Sequence, residues 1–133
     1  MTMKASFQPA IEGIDPTRMR QHAGSATHLL KALANEKRLL ILCLLAERER
    51  AVHELNEQLD LSQSALSQHL AVLREEHMVQ TRREAQSILY SLAPGPACEV
   101  IRTLHAIYCS PASPKQPKHP DQATPASTKE HLP

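Results

Sequence analysis

The chain has 133 residues and a formal net charge of +1; 41% of its residues are hydrophobic and only 2% are aromatic. This length is enough for one domain, and with so few aromatic residues the core must be built from Leu, Ile, Val and Ala, which is typical of a helical protein. The strongly basic composition of many nucleic-acid-binding domains is absent, so charge alone does not indicate DNA.

Cysteine usage and apolar patterning bear on the compartment. The three cysteines are Cys43, Cys98 and Cys109, and an odd number argues against a secreted disulfide scaffold. Residues 1–12 lack the apolar stretch of a signal peptide, and no apolar run approaches the roughly 18 residues of a membrane span. We therefore expect a cytoplasmic protein with no membrane partner, whose thiols are reduced at rest.

Composition divides the chain into three segments. Residues 1–15 show no sustained periodicity and are predicted to be flexible. Residues 110–133 hold six of the ten prolines among Ser, Thr, Lys and Gln, a composition that cannot bury a core and predicts disorder. The folded domain is therefore predicted to span residues 16–109.

The first predicted helix begins with Asp15 as its N-cap and Pro16 in its first turn. Its apolar residues recur at helical spacing: Met19, Ala23, Ala26, Leu29, Leu30 and Leu33. Asn35 caps a second helix that runs to about residue 46. Because residues 39–45 are apolar on every side of that helix, the sequence predicts that it is the buried central helix.

The remaining elements change from helical to strand periodicity. A short third helix is predicted over residues 52–59, and Ser62 caps a fourth helix that runs to about residue 77. Two strands follow at 79–83 and 87–92, with residues 84–86 as the hairpin tip. A last helix begins at Pro94–Pro96. The predicted fold is mainly α: four helices, a β-hairpin and a fifth helix.

The third and fourth helices, with the short turn between them, predict a helix-turn-helix. One side of the fourth helix is apolar, and the opposite side is small, polar and uncharged near its N-terminus: Ser64, Ser67, Gln68 and Ala71, flanked by Gln63 and Arg74. A merely solvated face is the alternative, but such faces usually carry Glu and Lys. We interpret Ser64, Ser67 and Gln68 as readers of base edges in the major groove, with Gln63 and Arg74 as supporting DNA contacts.

The β-hairpin after the fourth helix makes the predicted domain a winged helix-turn-helix. Arg82 and Arg83 lie near the hairpin tip and are predicted to contact phosphates beside the minor groove. His69 falls on the apolar side of the fourth helix and is interpreted as a core histidine. No nucleophile–base pair, glycine-rich phosphate loop or carboxylate cluster is present, so neither an enzyme nor a cofactor is expected.

Three segments of the chain resemble the ArsR/SmtB family of bacterial repressors. They are ANEKRLLIL at 34–42, LSQSALSQHLAVLR at 61–74 and ILYSL at 88–92, and the resemblance covers about residues 20–109. It implies a homodimeric winged helix whose first and last helices form the dimer interface. It also implies double-stranded DNA with an inverted-repeat operator as partner, and an inducer that releases the protein from it.

The resemblance also bears on what is sensed. Residues 51–55, AVHEL, contain no thiol where the arsenic- and cadmium-sensing members carry Cys-Val-Cys. The last helix offers only Glu99 and His105 at the zinc-sensing positions. Cys43 and Cys109 instead resemble the paired cysteines of a sulfur- and redox-sensing branch, which implies a disulfide or polysulfide bridge that changes DNA affinity, with a reactive sulfur species or an oxidant as inducer.

Several alternatives remain open from the sequence. Cys43 by itself fits a small core hydrophobe. Cys98 is interpreted as a bystander, because it lies about 16 Å from Cys109 along one helix and a disulfide needs Cα atoms within about 7 Å. Cys43, His105 and Cys109 are an alternative soft-metal site. The protein is alternatively an activator that displaces another DNA-bound protein, or a protein-interaction module, which the Ser/Gln face disfavours.

Overall fold

The computed structural model describes residues 10–111. Within that range the helices are α1 (Pro16–Leu33), α2 (Glu36–Glu47), α3 (Val52–Gln58), α4 (Gln63–Glu75) and α5 (Pro96–Cys109), and the strands are β1 (Arg50–Ala51), β2 (Val79–Glu84) and β3 (Ser87–Leu92). The predicted order of four helices, a hairpin and a fifth helix is confirmed. The flexibility predicted for residues 1–9 and the disorder predicted for residues 112–133 lie outside the described residues.

Side-chain caps set the start of three helices where the sequence predicted them. The Asp15 carboxylate accepts hydrogen bonds from two backbone N–H groups of the first turn of α1, at 3.1 and 3.2 Å. Asn35 and Ser62 each accept one from the N–H three residues onward, at 3.0 and 3.1 Å. Each cap satisfies backbone donors that the helix itself leaves unpaired, which explains why the helices begin at these residues.

The sheet has a third strand that the sequence did not predict. β1 pairs with β3 in antiparallel register, Arg50 opposite Tyr90, so that the strand order is β1-β3-β2. Two residues are too few to show an alternating pattern, and a charged residue does not indicate a buried strand. Arg50 is nevertheless buried, because its Nε donates to the Leu44 carbonyl at 3.0 Å and its guanidinium pairs with Glu47.

The hairpin turn is tighter than predicted. Glu84 belongs to β2 and pairs with Ser87, so the turn consists of Ala85 and Gln86 alone rather than residues 84–86. Ala85 has a φ of 57°, a left-handed conformation that a residue with a Cβ seldom adopts. Two-residue hairpin turns need positive φ and therefore favour Gly, Asn or Asp, whereas here Ala85 adopts that conformation without the usual Asn-Gly signature.

Helix α2 is the centre of the domain. It contacts α1, α4, α5 and β3, and the Ile41 and Leu42 side chains are completely inaccessible to solvent. The core around it includes Leu55 of α3 and Leu66 and Leu73 of α4. The expectation of burial on every side is wrong for Leu40, which is 44% exposed because the neighbouring elements leave that side of α2 uncovered.

No helix within residues 10–111 is long and apolar enough to cross a membrane.

Burial of α2 predicts where truncation costs most. Leu42→Ala should lower the free energy of unfolding by about 2–5 kcal/mol, because it removes apolar volume from a site that the surrounding helices cannot fill. Ile88→Ala, at a 39% exposed position of the hairpin, should cost less than about 1 kcal/mol. Urea unfolding of both variants measures the difference. Equal losses would contradict the central position of α2.

Candidate functional site

Helices α3 and α4 and the turn between them place one polar face in solvent. Leu66, Leu70 and Leu73 fix α4 on the core, and the residues on its other side are exposed: Gln63, Ser64, Ser67, Gln68, Ala71 and Arg74. The structure therefore brings all the residues predicted to face DNA on this helix to one surface. Hydroxyl and amide groups on an uncharged helix face are the donors and acceptors that major-groove base edges match.

His69 lies between the two faces of α4. It is half-buried, in agreement with its predicted place on the apolar side. Burial lowers the pKa of its imidazole, and the positive charges of Arg38 and Lys37 lower it further. Each cause disfavours the imidazolium form, so His69 behaves as a neutral packing residue of α4 rather than as a cation for DNA.

The two arginines of the hairpin have different surroundings. Arg82 donates to the Glu49 carboxylate from Nε at 3.1 Å and from Nη2 at 2.7 Å, and reaches Glu84 at 3.3 Å. The same hydrogen bond holds the pKa of Glu49 below its ordinary value. Arg83, the next residue of the strand, points to the other face and has no ion pair within residues 10–111. The sequence did not reveal Glu49, which lies 33 positions from its partner.

The two cysteines predicted as a pair lie on the packed helices α2 and α5. Cys43 is half-buried on α2, and Cys109 is the exposed last residue of α5. Burial raises the pKa of the Cys43 thiol, and the Cys109 thiolate raises it further by charge repulsion. The two cysteines therefore lie on helices that pack against each other.

The alternative metal site does not form a cluster. Among residues 10–111, no group of three or more His, Cys, Asp or Glu side chains lies close enough together to hold a metal ion. Cys43, His105 and Cys109 therefore do not form such a group within one copy of the chain.

A groove between α2 and α5 holds the third cysteine. Its volume is about 580 Å³, and its lining includes Cys43 and Glu47 from α2 and Cys98, Arg102 and His105 from α5. Spacing along one helix relates Cys98 only to Cys109. The fold instead places Cys98 in the same groove as Cys43, a juxtaposition that helix spacing cannot reveal.

Comparisons with known proteins agree with this geometry. Residues 35–81, from the cap of α2 to the hairpin, match the model of the bacterial regulatory protein arsR family. The transcriptional activator HlyU of Vibrio cholerae is 50% identical over 91 residues, which are 68% of this chain and 84% of HlyU. This chain belongs to the ArsR family.

Two further relatives carry a different role in their names. The biofilm growth-associated repressor of Agrobacterium fabrum is 47% identical over 93 residues, covering 70% of this chain and 80% of that protein. The crystal structure of the transcriptional repressor BigR from Xylella fastidiosa superposes with a TM-score of 0.67 at 38% identity, covering 72% of this chain and 98% of that one. The ArsR-family chain is thus a winged-helix transcriptional regulator and not an enzyme, and its relatives include both activators and repressors.

The raised pKa of Cys43 predicts a measurable pH profile. The rate of alkylation of Cys43, followed by peptide mass spectrometry, should rise with pH at a higher midpoint than that of an unperturbed cysteine, because only the thiolate reacts. Cys109→Ser removes the repelling charge and should move the midpoint to lower pH, whereas Cys98→Ser should leave it in place. A midpoint unaffected by Cys109→Ser would contradict the proximity of the two thiols.

Proposed function

We propose that this chain is a homodimeric regulator that binds an inverted-repeat operator through α4 and leaves it when Cys43 and Cys109 become covalently joined. The observation that carries the proposal is the packing of α2, which holds Cys43, against α5, which ends at Cys109. Since α2 also contacts α4, one packed helix connects the thiol pair with the DNA-reading face.

The assignment of α4 to base reading rests on its chemistry. Ser64, Ser67 and Gln68 offer neutral hydrogen-bonding groups at a convex surface, and a glutamine amide can bind adenine through two hydrogen bonds. Arg83 has a free guanidinium for phosphate, whereas Arg82 is occupied by Glu49 and Glu84. We therefore assign the stronger phosphate contact to Arg83, and a weaker one to Arg82, whose ion pairs must first open.

Exposed apolar side chains on α1 and α5 support a homodimer. Met19 and Leu30 of α1 are each 56% exposed, and Ile107 and Tyr108 of α5 are 45% and 59% exposed. Apolar residues at the ends of a small domain are stabilised when a second copy covers them. A twofold dimer presents two copies of α4, which match two half-sites about one DNA turn apart.

A hydropersulfide can act as the oxidant that joins Cys43 and Cys109. One cysteine thiolate attacks the outer sulfur of the donor, which gives a protein persulfide and releases the donor as a thiol. The second thiolate then attacks the protein-bound sulfur, forming the Cys43–Cys109 disulfide and expelling hydrosulfide. Alternatively, two persulfidated cysteines condense to a trisulfide with loss of hydrogen sulfide. In each case the protein sulfurs are oxidised and the donor sulfur is reduced.

The bond acts on DNA affinity through the position of α5. It fastens the end of the helix assigned to the dimer interface to the central helix of the same protomer. A small change in the separation of the two α4 helices then weakens the contact with both half-sites. Tenfold release needs only about 1.4 kcal/mol of difference between the two forms in DNA binding. The same release would relieve repression or end activation, so the mechanism holds for either role.

Base reading by α4 predicts a difference between two substitutions. Gln68→Ala should cost about 1–3 kcal/mol on the operator and little on random DNA, because it removes contacts to a base edge. Arg83→Ala should weaken binding to both DNAs. It should also lower the salt dependence of the binding constant by an amount that corresponds to about one phosphate contact. Gln58→Ala, at the exposed end of α3, serves as control. Equal losses of Gln68→Ala on both DNAs would exclude base reading by that residue.

The thiol switch predicts the response of each cysteine variant. Reduced protein should shift operator DNA from its own promoter, and protein treated with a persulfide donor should not, with intact mass showing a 43–109 crosslink. Cys43→Ser and Cys109→Ser should bind DNA, sediment as dimers and fail to respond. Release that persists in both single variants, or the absence of the crosslink in treated parent protein, would overturn the switch. A release by added metal ions in the reduced state would favour a metal sensor instead.

A further inference from the structure

The groove between α2 and α5 combines apolar wall, two oppositely charged side chains and two thiols. Its volume of about 580 Å³ lies within the range of roughly 300–1,000 Å³ that ligand sites occupy. Ala46, Leu92 and Ile101 supply apolar wall, while Glu47 contributes a carboxylate from α2 and Arg102 a guanidinium from α5. An apolar surface with two opposite charges and two thiols is a combination that neither core packing nor DNA binding requires.

Arg102 is the charged side chain beside the Cys98 sulfur. Its Nη2 donates a hydrogen bond to the Cys98 Sγ at 3.6 Å. This contact places a guanidinium beside the one atom of Cys98 that can form a disulfide. The other partner of Arg102 is Glu99 at 3.9 Å, and both of these side chains are largely exposed, so the pair is weak. The guanidinium is therefore available to a carboxylate that enters the groove.

Of the two thiols in the groove, Cys98 is the one that accepts a hydrogen bond from a guanidinium. Burial and the neighbouring Cys109 thiolate both disfavour ionisation of Cys43 and raise its pKa. Across the groove, Glu47 pairs with Arg50 through one carboxylate oxygen, and its largely exposed side chain leaves the other oxygen for an ammonium group. The groove thus holds the Cys98 thiol together with a guanidinium and a carboxylate, which are complementary to the two charges of an amino-acid-like molecule.

We propose that Cys98 is an S-thiolation site, and that the groove selects disulfides of small amino-acid- or peptide-derived thiols carrying both carboxylate and ammonium groups. Arg102 binds the carboxylate, for which its planar fork is suited, and Glu47 binds the ammonium. The modification is separate from the Cys43–Cys109 switch and does not depend on it.

The exchange needs no further reactant. The Cys98 thiolate, having lost its proton to water, attacks one sulfur of the bound disulfide. A new bond forms between Sγ and that sulfur while the original sulfur–sulfur bond breaks. The second half leaves as a thiolate with the electron pair and takes up a proton. Cys98 is oxidised and the leaving sulfur is reduced.

The test compares two disulfides of opposite character on the reduced, full-length protein. Oxidised glutathione carries carboxylates and ammonium groups, whereas cystamine carries only ammonium groups. Peptide mass mapping after short incubations gives the rate of adduct formation at each cysteine. The quantity compared is the rate of the glutathione adduct at Cys98 divided by the rate of the cystamine adduct. This ratio should be about threefold to fivefold higher in the parent than in Arg102→Gln, because one exposed charge pair contributes an effect of that size.

Controls separate this site from general thiol reactivity and from the switch. The ratio at Cys109 should not change in Arg102→Gln, and Arg20→Gln, at an exposed position of α1, should leave the ratio at Cys98 unaltered. A Cys43→Ser, Cys109→Ser double variant cannot form the switch and should still take the adduct at Cys98 with the same dependence on Arg102. The proposal is overturned if Arg102→Gln leaves the Cys98 ratio unchanged, or if parent protein takes the glutathione adduct only at Cys43 or Cys109.

Discussion

The burial of α2 is the constraint on which the rest of this domain depends. A chain with almost no aromatic residues must build its core from aliphatic side chains, and the completely inaccessible Ile41 and Leu42 lie on this one helix. Helices α1, α4 and α5 and strand β3 all contact it. Aliphatic cores are close-packed, so a displacement at one side of α2 is passed to the others rather than absorbed.

Because of this arrangement, a thiol on α2 is connected by packing with both α4 and α5. Cys43 is partly enclosed by the core, which disfavours its charged form, yet it remains open to the groove and to the end of α5. In the proposed switch, a covalent change at this residue acts on a helix that contacts both α4 and α5. An equally reactive thiol on the hairpin would have no such connection with both.

On the hairpin, Arg82 is held by an ion pair, whereas Arg83 is exposed. The Arg82–Glu49 pair ties β2 to the segment before β1 across the intervening strand, and β1 is itself held by the buried Arg50. A surface ion pair contributes little to the stability of the fold, but with two hydrogen bonds it restricts the direction of the hairpin. Arg83 is thereby presented on a wing of defined orientation.

Local patterns in the sequence were enough to predict the helices, their caps at Asp15, Asn35 and Ser62, the polar face of α4 and the hairpin, because each depends on residues a few positions apart. The family, too, could be read from short segments. Tertiary structure decided the rest. β1 has only two residues and exists through its pairing with β3. Glu49 reaches Arg82, and Cys98 shares a groove with Cys43, only because distant segments pack together on α2. Contacts between segments far apart in the chain follow from how the core closes, and no local periodicity records them.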